Sequence, residues 1–365
     1  MHQSSRVPQR ADEEPDRATA GIGPLRAGGR CVAWLGGLAV LLHPLFFVIY
    51  RLAIFNTVPR DDYAHFLLWT VGSPEGGVPV SPYCYRVLSM LLAAPFYFLL
   101  PTFRLSNMPA ALSTPYIRAT AALSALAFVA WIAGAMLIYA IAVAKCGLSR
   151  RDAMLAAVLL FALGLFTQFV AIDPLAIALI ALGVALVDRR WWFGGFMLVS
   201  IIANEKVALV LAIWLAIRCT LSSSDRAAFG AQCATALLAL VAYVALVKLV
   251  HVPGNSYQLD PGDYLHTLRE NLAAVARARS VLLNVVPIAI LAAIAVFGHA
   301  GARRTGTLFR PADLLVIPAL IGVALFVTHL FQAGRIVLHA APLFVVPATA
   351  ALRGWLDAGE TPSGR

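Results

Sequence analysis

Charged side chains are scarce in this chain. Asp, Glu, Lys and Arg make up 13% of its 365 residues, whereas an ordinary soluble domain carries ~25%. Hydrophobic residues make up 61%, and the mean hydropathy is +0.81. This composition excludes an ordinary water-soluble globule and predicts a protein that lies in a lipid bilayer.

Several chemical signatures are also missing. The five cysteines form no CxxC pair and no metal-ligand spacing, which indicates structural or incidental thiols. The sequence contains no GxxxxGK[ST], GxGxxG, GxSxG or HExxH motif, so nothing in it indicates a nucleotide-driven reaction. The net charge of +10 comes from short basic clusters between apolar runs, without interleaved aromatic residues. Membrane orientation explains these clusters better than nucleic-acid binding does, and we expect no nucleic-acid partner.

The apolar runs are continuous and close to the roughly 20 residues that span a bilayer as a helix. They do not alternate with a period of two, so they favour an all-α polytopic transmembrane bundle over a barrel. Placing every basic cluster on the cytoplasmic side predicts ten spans and cytoplasmic termini, in a plasma membrane of the bacterial inner-membrane type. The predicted spans are 31–54, 118–144, 152–171, 174–187, 191–203, 207–218, 227–250, 281–298, 313–331 and 336–352.

This topology divides the chain into a transmembrane domain, 31–353, between disordered cytoplasmic tails at 1–30 and 354–365. Its two long outer loops are 55–117 and 252–280. The apolar segment 87–100 is only about 14 residues long, and counting it as a span would invert every later loop. We therefore expect a re-entrant or interfacial helix there, on the outer face.

An acidic pair, Asp61 and Asp62, follows the first predicted span in the motif RDDYAHF, together with Tyr63 and His65. A carboxylate at this position can take a proton from a hydroxyl, and the pair could hold a divalent metal ion. One of the two could equally cap the helix that the motif begins.

Three further polar groups fall on the same predicted face. Arg86, after Tyr85, can bind phosphate through its fork or can simply snorkel to the interface. Asn204, Glu205 and Lys206 interrupt an apolar stretch. They could lie within one continuous helix or at a turn between two helices. They could carry functional chemistry, or Glu205 and Lys206 could simply form an ion pair. Arg335 and His339 lie one helical turn apart and could bind an anion, although a lone histidine in a span is often only a packed residue.

The motifs RDDYAHF and PYCYRVLSMLL, with many short spans, resemble the GT-C class of integral-membrane glycosyltransferases. The resemblance implies transfer of a sugar from a polyprenyl-phosphate donor to a hydroxyl on the extracytoplasmic face, as in cell-envelope synthesis. It implies an acid of the first outer loop as the base or metal-adjacent carboxylate, here Asp61 or Asp62.

The chemistry of such a transfer then suggests roles for the other polar residues. Arg86, Lys206 and Arg335 are candidate phosphate contacts, and Glu205 would orient the acceptor or Lys206. The candidate site as a whole is as follows: Asp61, Asp62 and Glu205 as catalytic residues, and Tyr63, His65, Tyr85, Arg86, Asn204, Lys206, Arg335 and His339 as substrate or phosphate contacts. The competing prediction is a secondary transporter or flippase, since broken helices with polar residues also build transport sites.

Overall fold

The computed structural model describes residues 33, 37, 62–77, 85–102, 112–163, 173–250, 261–274, 285–302, 305, 308–327 and 333–359. The chain divides into two units, 1–42 and 43–365. In the first unit only Ala33 and Gly37 are described, both helical and exposed. Asp61, the side chain of Asp62, the tail 1–30 and nearly all of the predicted span 31–54 lie outside the described residues.

The described part of the second unit is helical and contains no strand, as the sequence predicts. We number its α-helices in chain order. They are α1 (Asp62–Thr70), α2 (Val87–Leu99), α3 (Thr114–Ala144), α4 (Arg150–Leu163), α5 (Asp173–Leu186), α6 (Arg190–Ile201), α7 (Glu205–Leu221), α8 (Ser223–Leu249), α9 (Pro261–Ala274), α10 (Val286–Ala302), α11 (Val316–Val327), α12 (Ala333–Leu338) and α13 (Ala341–Gly359). A 3₁₀ turn, Pro311–Leu315, precedes α11.

Of the described helices, α3 and α8 are long and apolar enough to cross a membrane, which suggests membrane association. Other predicted spans correspond to shorter apolar helices, among them α5 and α10. The predicted span 336–352 is not one helix, because the chain turns between α12 and α13. The segment 87–100 is helical as α2, and α13 continues to Gly359, into the predicted C-terminal tail.

Side-chain oxygens fix where the longer helices begin. Ser113 accepts a hydrogen bond from the Tyr116 amide at the start of α3, and Pro115 occupies the first turn, where its missing N–H costs nothing. Ser222 accepts from the Asp225 amide at the start of α8. These caps fix the turns that precede α3 and α8.

Two apolar cores hold the helices together. The smaller core joins α1, α2 and α3, and it reaches Leu175 and Ala178 of α5. The larger core joins α3 to α8 with α10 to α13 and includes Trp131, Trp214 and Phe193. Helix α5 contributes to both cores, so its first residue, Asp173, lies where they meet.

A buried ion pair fixes the C-terminal end of α7. Arg218 donates to both carboxylate oxygens of Asp313, from Nε and from Nη2, each at 2.8 Å, and it also donates to the Leu308 carbonyl. The Trp214 indole N–H donates to the same carboxylate at 3.0 Å. Arg310 reaches Asp225 at 2.7 Å nearby. This bidentate geometry ties the 3₁₀ turn to α7.

Two glycines let α10 and α13 pack closely. A Cβ on Gly301 would overlap the Pro347 carbonyl oxygen and lie 2.5 Å from the Ala351 nitrogen, while one on Gly298 would lie 2.9 Å from the Ala348 nitrogen. All of these neighbours are backbone atoms of α13, so they cannot rotate away. The two helices can therefore make this contact only if both positions lack a side chain.

We expect Gly301→Ala to lower the free energy of unfolding by about 1–3 kcal/mol, since an overpacked contact with backbone must push the helices apart. Gly230→Ala on α8 is the matched control, because a Cβ there meets nothing within 4 Å. That change should be neutral or stabilising, as alanine favours helix by about 1 kcal/mol over glycine. Denaturant unfolding in detergent micelles would measure both, and equal effects would contradict the close contact.

Candidate functional site

The Asp173 carboxylate, at the start of α5, is the centre of a buried ionic cluster. The residue is fully buried, and its Oδ1 accepts from Lys206 Nζ at 3.1 Å. Its Oδ2 accepts from Arg335 Nε. His339 Nε2 lies 3.3 Å from Oδ1. One carboxylate therefore joins α5 to α7 and α12, and the turn that follows α12 lies beside it.

A second ion pair lies beside the first. Arg86 directly precedes α2 and donates from Nε to Glu205 Oε2 at 2.9 Å, and from Nη2 to Oε1. Its Nη1 donates to the Tyr63 hydroxyl. Since Glu205 and Lys206 are consecutive residues, the two ion pairs meet at the start of α7. We call Arg86, Asp173, Glu205, Lys206 and Arg335 the ionic cluster.

The charges of Arg86 and Glu205 support each other. Burial alone would raise the pKa of the Glu205 carboxyl, but the charge and hydrogen bonds of Arg86 hold it below its usual value. Burial likewise opposes the charge on Arg86, yet Glu205, with a smaller contribution from Tyr63, raises the pKa of its guanidinium well above the usual value. Both groups are thus ionised and act as a matched pair.

The backbone explains why Arg86 reaches Glu205. The first turn of α2 contacts the turn between α6 and α7, where the Leu88 amide donates to the Ile202 carbonyl at 3.0 Å. Ser89 Oγ donates to the Ala203 carbonyl at 2.9 Å. These bonds use carbonyls that the end of α6 leaves without helical partners, and they hold Arg86 at the start of α7.

The motif around Glu205 is a turn between two helices, so the second of the two sequence interpretations is correct. Asn204 caps α7, with its Oδ1 accepting from the Lys206 amide at 3.1 Å. The predicted Glu205–Lys206 ion pair is absent from this turn, because Glu205 pairs with Arg86 and Lys206 with Asp173. Consecutive residues on α7 point toward different helices, which separates the two charges.

The break between α12 and α13 puts His339 inside the protein. The two helices flank His339 and Ala340, and Pro342 lies in the first turn of α13, where proline is tolerated. His339 is fully buried, and its Nδ1 lies 2.7 Å from the Arg335 carbonyl. The predicted span 336–352 is therefore not one continuous helix, because the chain turns at His339 and Ala340 between α12 and α13.

Tyr63 links the acidic motif RDDYAHF to the ionic cluster. It is the second residue of α1, it is buried, and its hydroxyl accepts from Arg86. Asp62 directly precedes Tyr63, so its backbone is one residue away from the residue that contacts Arg86. The start of α1 is thereby held at the ionic cluster.

Two predicted contacts lie elsewhere. The Tyr85 hydroxyl donates to the Val250 carbonyl at 2.7 Å, at the end of α8. The His65 ring packs 5.6 Å from the ring of Tyr116, and its Nδ1 is 3.4 Å from the Glu75 carbonyl. The predicted contacts that the structure does bring together are Tyr63, Arg86, Asn204, Glu205, Lys206, Arg335 and His339.

The sequence analysis gave Asp173 no role in the site. It begins an apolar helix with Pro174 at its second position, a pattern that resembles an ordinary helix start. The sequence nevertheless contains a signal, since fourteen uncharged residues, 174–187, separate Asp173 from the next charged residue, Asp188. An isolated acid beside such an apolar run is costly to bury without a partner.

No group of three or more His, Cys, Asp or Glu side chains suited to a metal ion occurs among the residues that the structure describes. Asp61 and the side chain of Asp62, the predicted ligands of a divalent metal, lie outside that set. The described cluster is instead rich in cations, and this chemistry fits an anionic ligand better than a metal ion.

The arrangement can hold an anion near Lys206. An ammonium group has three N–H donors, and the contact with Asp173 uses one of them. Arg86 donates from Nε, Nη1 and Nη2 to protein partners, so it would act on an anion mainly through its charge. Comparison with protein-family models, with curated proteins and with solved structures finds no match for this chain.

Proposed function

We propose that this protein is an integral-membrane glycosyltransferase that moves a sugar from a polyprenyl-phosphate donor to an acceptor hydroxyl on the extracytoplasmic face. The observation that carries the proposal is the ionic cluster itself, which holds three cationic side chains and contacts Tyr63 of α1, the helix that begins at Asp62. Sugar transfer from a lipid phosphate needs a base for the hydroxyl and positive charge for the departing phosphate, and these residues supply both.

The roles follow from the contacts. Lys206 and Arg335 would contact the phosphate, and Asp173 holds the two in place. Glu205 orients Arg86, whose charge adds to theirs. Asp61 or Asp62 would take the proton of the acceptor hydroxyl. Cations already fixed by carboxylates need little reorganisation when negative charge develops on the phosphate.

We further propose a ten-span bundle with both termini cytoplasmic, and the polar clusters at the two ends of α7 support it. The ionic cluster lies at one end of α7, and Arg218 with Asp313 lies at the other, with an apolar core between them. Large apolar side chains are exposed on several helices, including Phe98, Leu238 and Val241 at 63–70%. Exposed apolar surface of this kind suits lipid contact.

The second candidate is a secondary transporter or flippase for a polar or lipid-linked substrate. Two helix breaks favour it, one between α6 and α7 and one between α12 and α13, and both carry buried polar residues. Transport sites are often built from such broken helices. The two candidates share the ligand chemistry and differ in whether a bond is broken.

Reconstitution into sealed vesicles separates them. Vesicles containing the protein receive a polyprenyl phosphate that carries a radiolabelled hexose or pentose, together with a panel of hydroxyl acceptors. We expect the label to move from the lipid to an acceptor and to depend on the protein. Movement of the intact labelled lipid between leaflets, or of free sugar into the vesicle, without cleavage would favour transport and contradict the transferase.

A further inference from the structure

Two buried polar atoms beside the ionic cluster have no hydrogen-bond partner among the described residues. They are Nδ2 of Asn204 and Nε2 of His339. Both residues are 0% exposed. A buried polar atom without a partner costs about 1–3 kcal/mol, so a pair of them next to a charged cluster requires a cause.

The remaining contacts of each residue fix which hydrogen-bonding role is left open. The Asn204 carbonyl oxygen accepts from the Lys206 amide, so the side chain is oriented and its NH₂ group is a donor. His339 Nδ1 faces the Arg335 carbonyl, which can only accept, so Nδ1 carries the proton. Nε2 of the neutral ring is then an acceptor.

Asp173 cannot satisfy that acceptor. Its Oδ1 lies 3.3 Å from His339 Nε2, but a carboxylate oxygen has no proton to donate. A doubly protonated His339 could donate from Nε2 to Asp173. Its charge would, however, be a third positive charge beside Lys206 and Arg335, which already contact the same carboxylate. The lone pair of Nε2 is thus available for a donor from outside the described residues.

We propose that Asn204 Nδ2 and His339 Nε2 form a subsite for a hydroxyl-bearing ligand, in which His339 accepts from a hydroxyl and Asn204 donates to a hydroxyl. A sugar carries hydroxyls that both donate and accept, so its chemistry matches the pair. Lys206 connects the subsite to the anion position, since its amide contacts Asn204 and its ammonium contacts Asp173 beside His339. The inference rests on the proposed function and adds the contacts that distinguish a glycosylated lipid phosphate from a free one.

The experiment compares two probes on the full chain in detergent: a fifteen-carbon polyprenyl phosphate, and the same lipid carrying glucose, mannose or a pentose. The wild-type protein is expected to prefer a sugar-bearing form. Asn204→Ser keeps an N-cap oxygen but removes the amide donor, and His339→Phe removes the acceptor. Each should reduce the preference for the sugar-bearing lipid about ten-fold or more, the loss expected for one buried hydrogen bond. His339→Gln, which restores an amide near the position of Nε2, should recover part of it.

Lys206→Met is the control, because it removes a charge that both lipids would contact. It should weaken both lipids in parallel and keep their ratio. If the wild-type protein binds both lipids equally, or if the two subsite variants keep the wild-type ratio, the atoms hold water only and the subsite is wrong, while lipid-phosphate binding stands. If neither lipid binds, the proposed function fails and the subsite fails with it.

Discussion

Asp173→Asn is expected to lower the free energy of unfolding by about 3–5 kcal/mol, the range seen when one member of a buried ion pair is removed. The substitution keeps the shape of the side chain but removes its charge. Lys206 then loses its carboxylate partner inside the protein, and Arg335 loses the same ion pair. An asparagine in this place also points an NH₂ donor at a cation, which is repulsive. Chemical denaturation in detergent micelles would measure the loss.

The control is Asp188→Asn, the same chemical change in an exposed pair. Asp188 contacts Lys145, but 55% of its side chain is exposed, so the pair is worth about 0–1 kcal/mol. Adding Lys206→Met to Asp173→Asn should recover part of the stability, because the double change removes the buried charge that the first change leaves behind. Equal losses for Asp173→Asn and Asp188→Asn would mean that the cluster does not stabilise the fold.

Much of the site could be predicted from the sequence, because charged residues that interrupt apolar stretches are costly to bury and therefore indicate a site. Asn204, Glu205 and Lys206 interrupt an apolar stretch, and counting basic residues predicted that this turn shares one face with Arg86 and Arg335. The structure pairs Arg86 with Glu205, and Asp173 joins Lys206 to Arg335. The positions of many helices could be predicted in a similar way, because the apolar runs that form them begin and end at polar residues.

The partners could not be predicted in the same way. Glu205 pairs with Arg86, 119 residues away, because α2 docks on the turn between α6 and α7. Nothing local to Glu205 distinguishes that partner from the adjacent Lys206. Asp173 was missed for a related reason: its importance comes from residues of three other elements, and the pattern around it is that of a common helix start.

The sequence contains a local signal of the helix break at His339, which counting apolar spans does not detect. Pro342 follows it closely, and proline is favoured in the first turn of a helix and disfavoured further in. Hydropathy does not reveal the break between α12 and α13, because the chain stays apolar through it. Pro342 therefore marks the start of α13 next to the buried histidine, but proline alone does not dictate the break, since Pro347 lies inside the same helix.

Asp62→Asn is expected to lower the rate of sugar transfer about 10²–10⁴-fold, the contribution of a positioned general base. The two aspartates differ in their relation to α1, which begins at Asp62. Asp61 directly precedes the first helical residue, and aspartate is among the best residues for capping from that position. If the proposed function holds, we therefore expect Asp61 to cap α1 and Asp62 to act as the base.

Asp61→Asn is the matched comparison, since asparagine caps a helix about as well as aspartate and the chemical change is identical. Its loss should stay within about ten-fold, and Asp61→Ala should cost about 1 kcal/mol of stability in addition. The measurement is the single-turnover rate of label transfer in vesicles, with the amount of folded protein determined for each variant. A larger loss for Asp61→Asn than for Asp62→Asn would exchange the two roles. Full activity in both variants would remove the acidic pair from the chemistry and leave Asp173 and Glu205 as the carboxylates of the site.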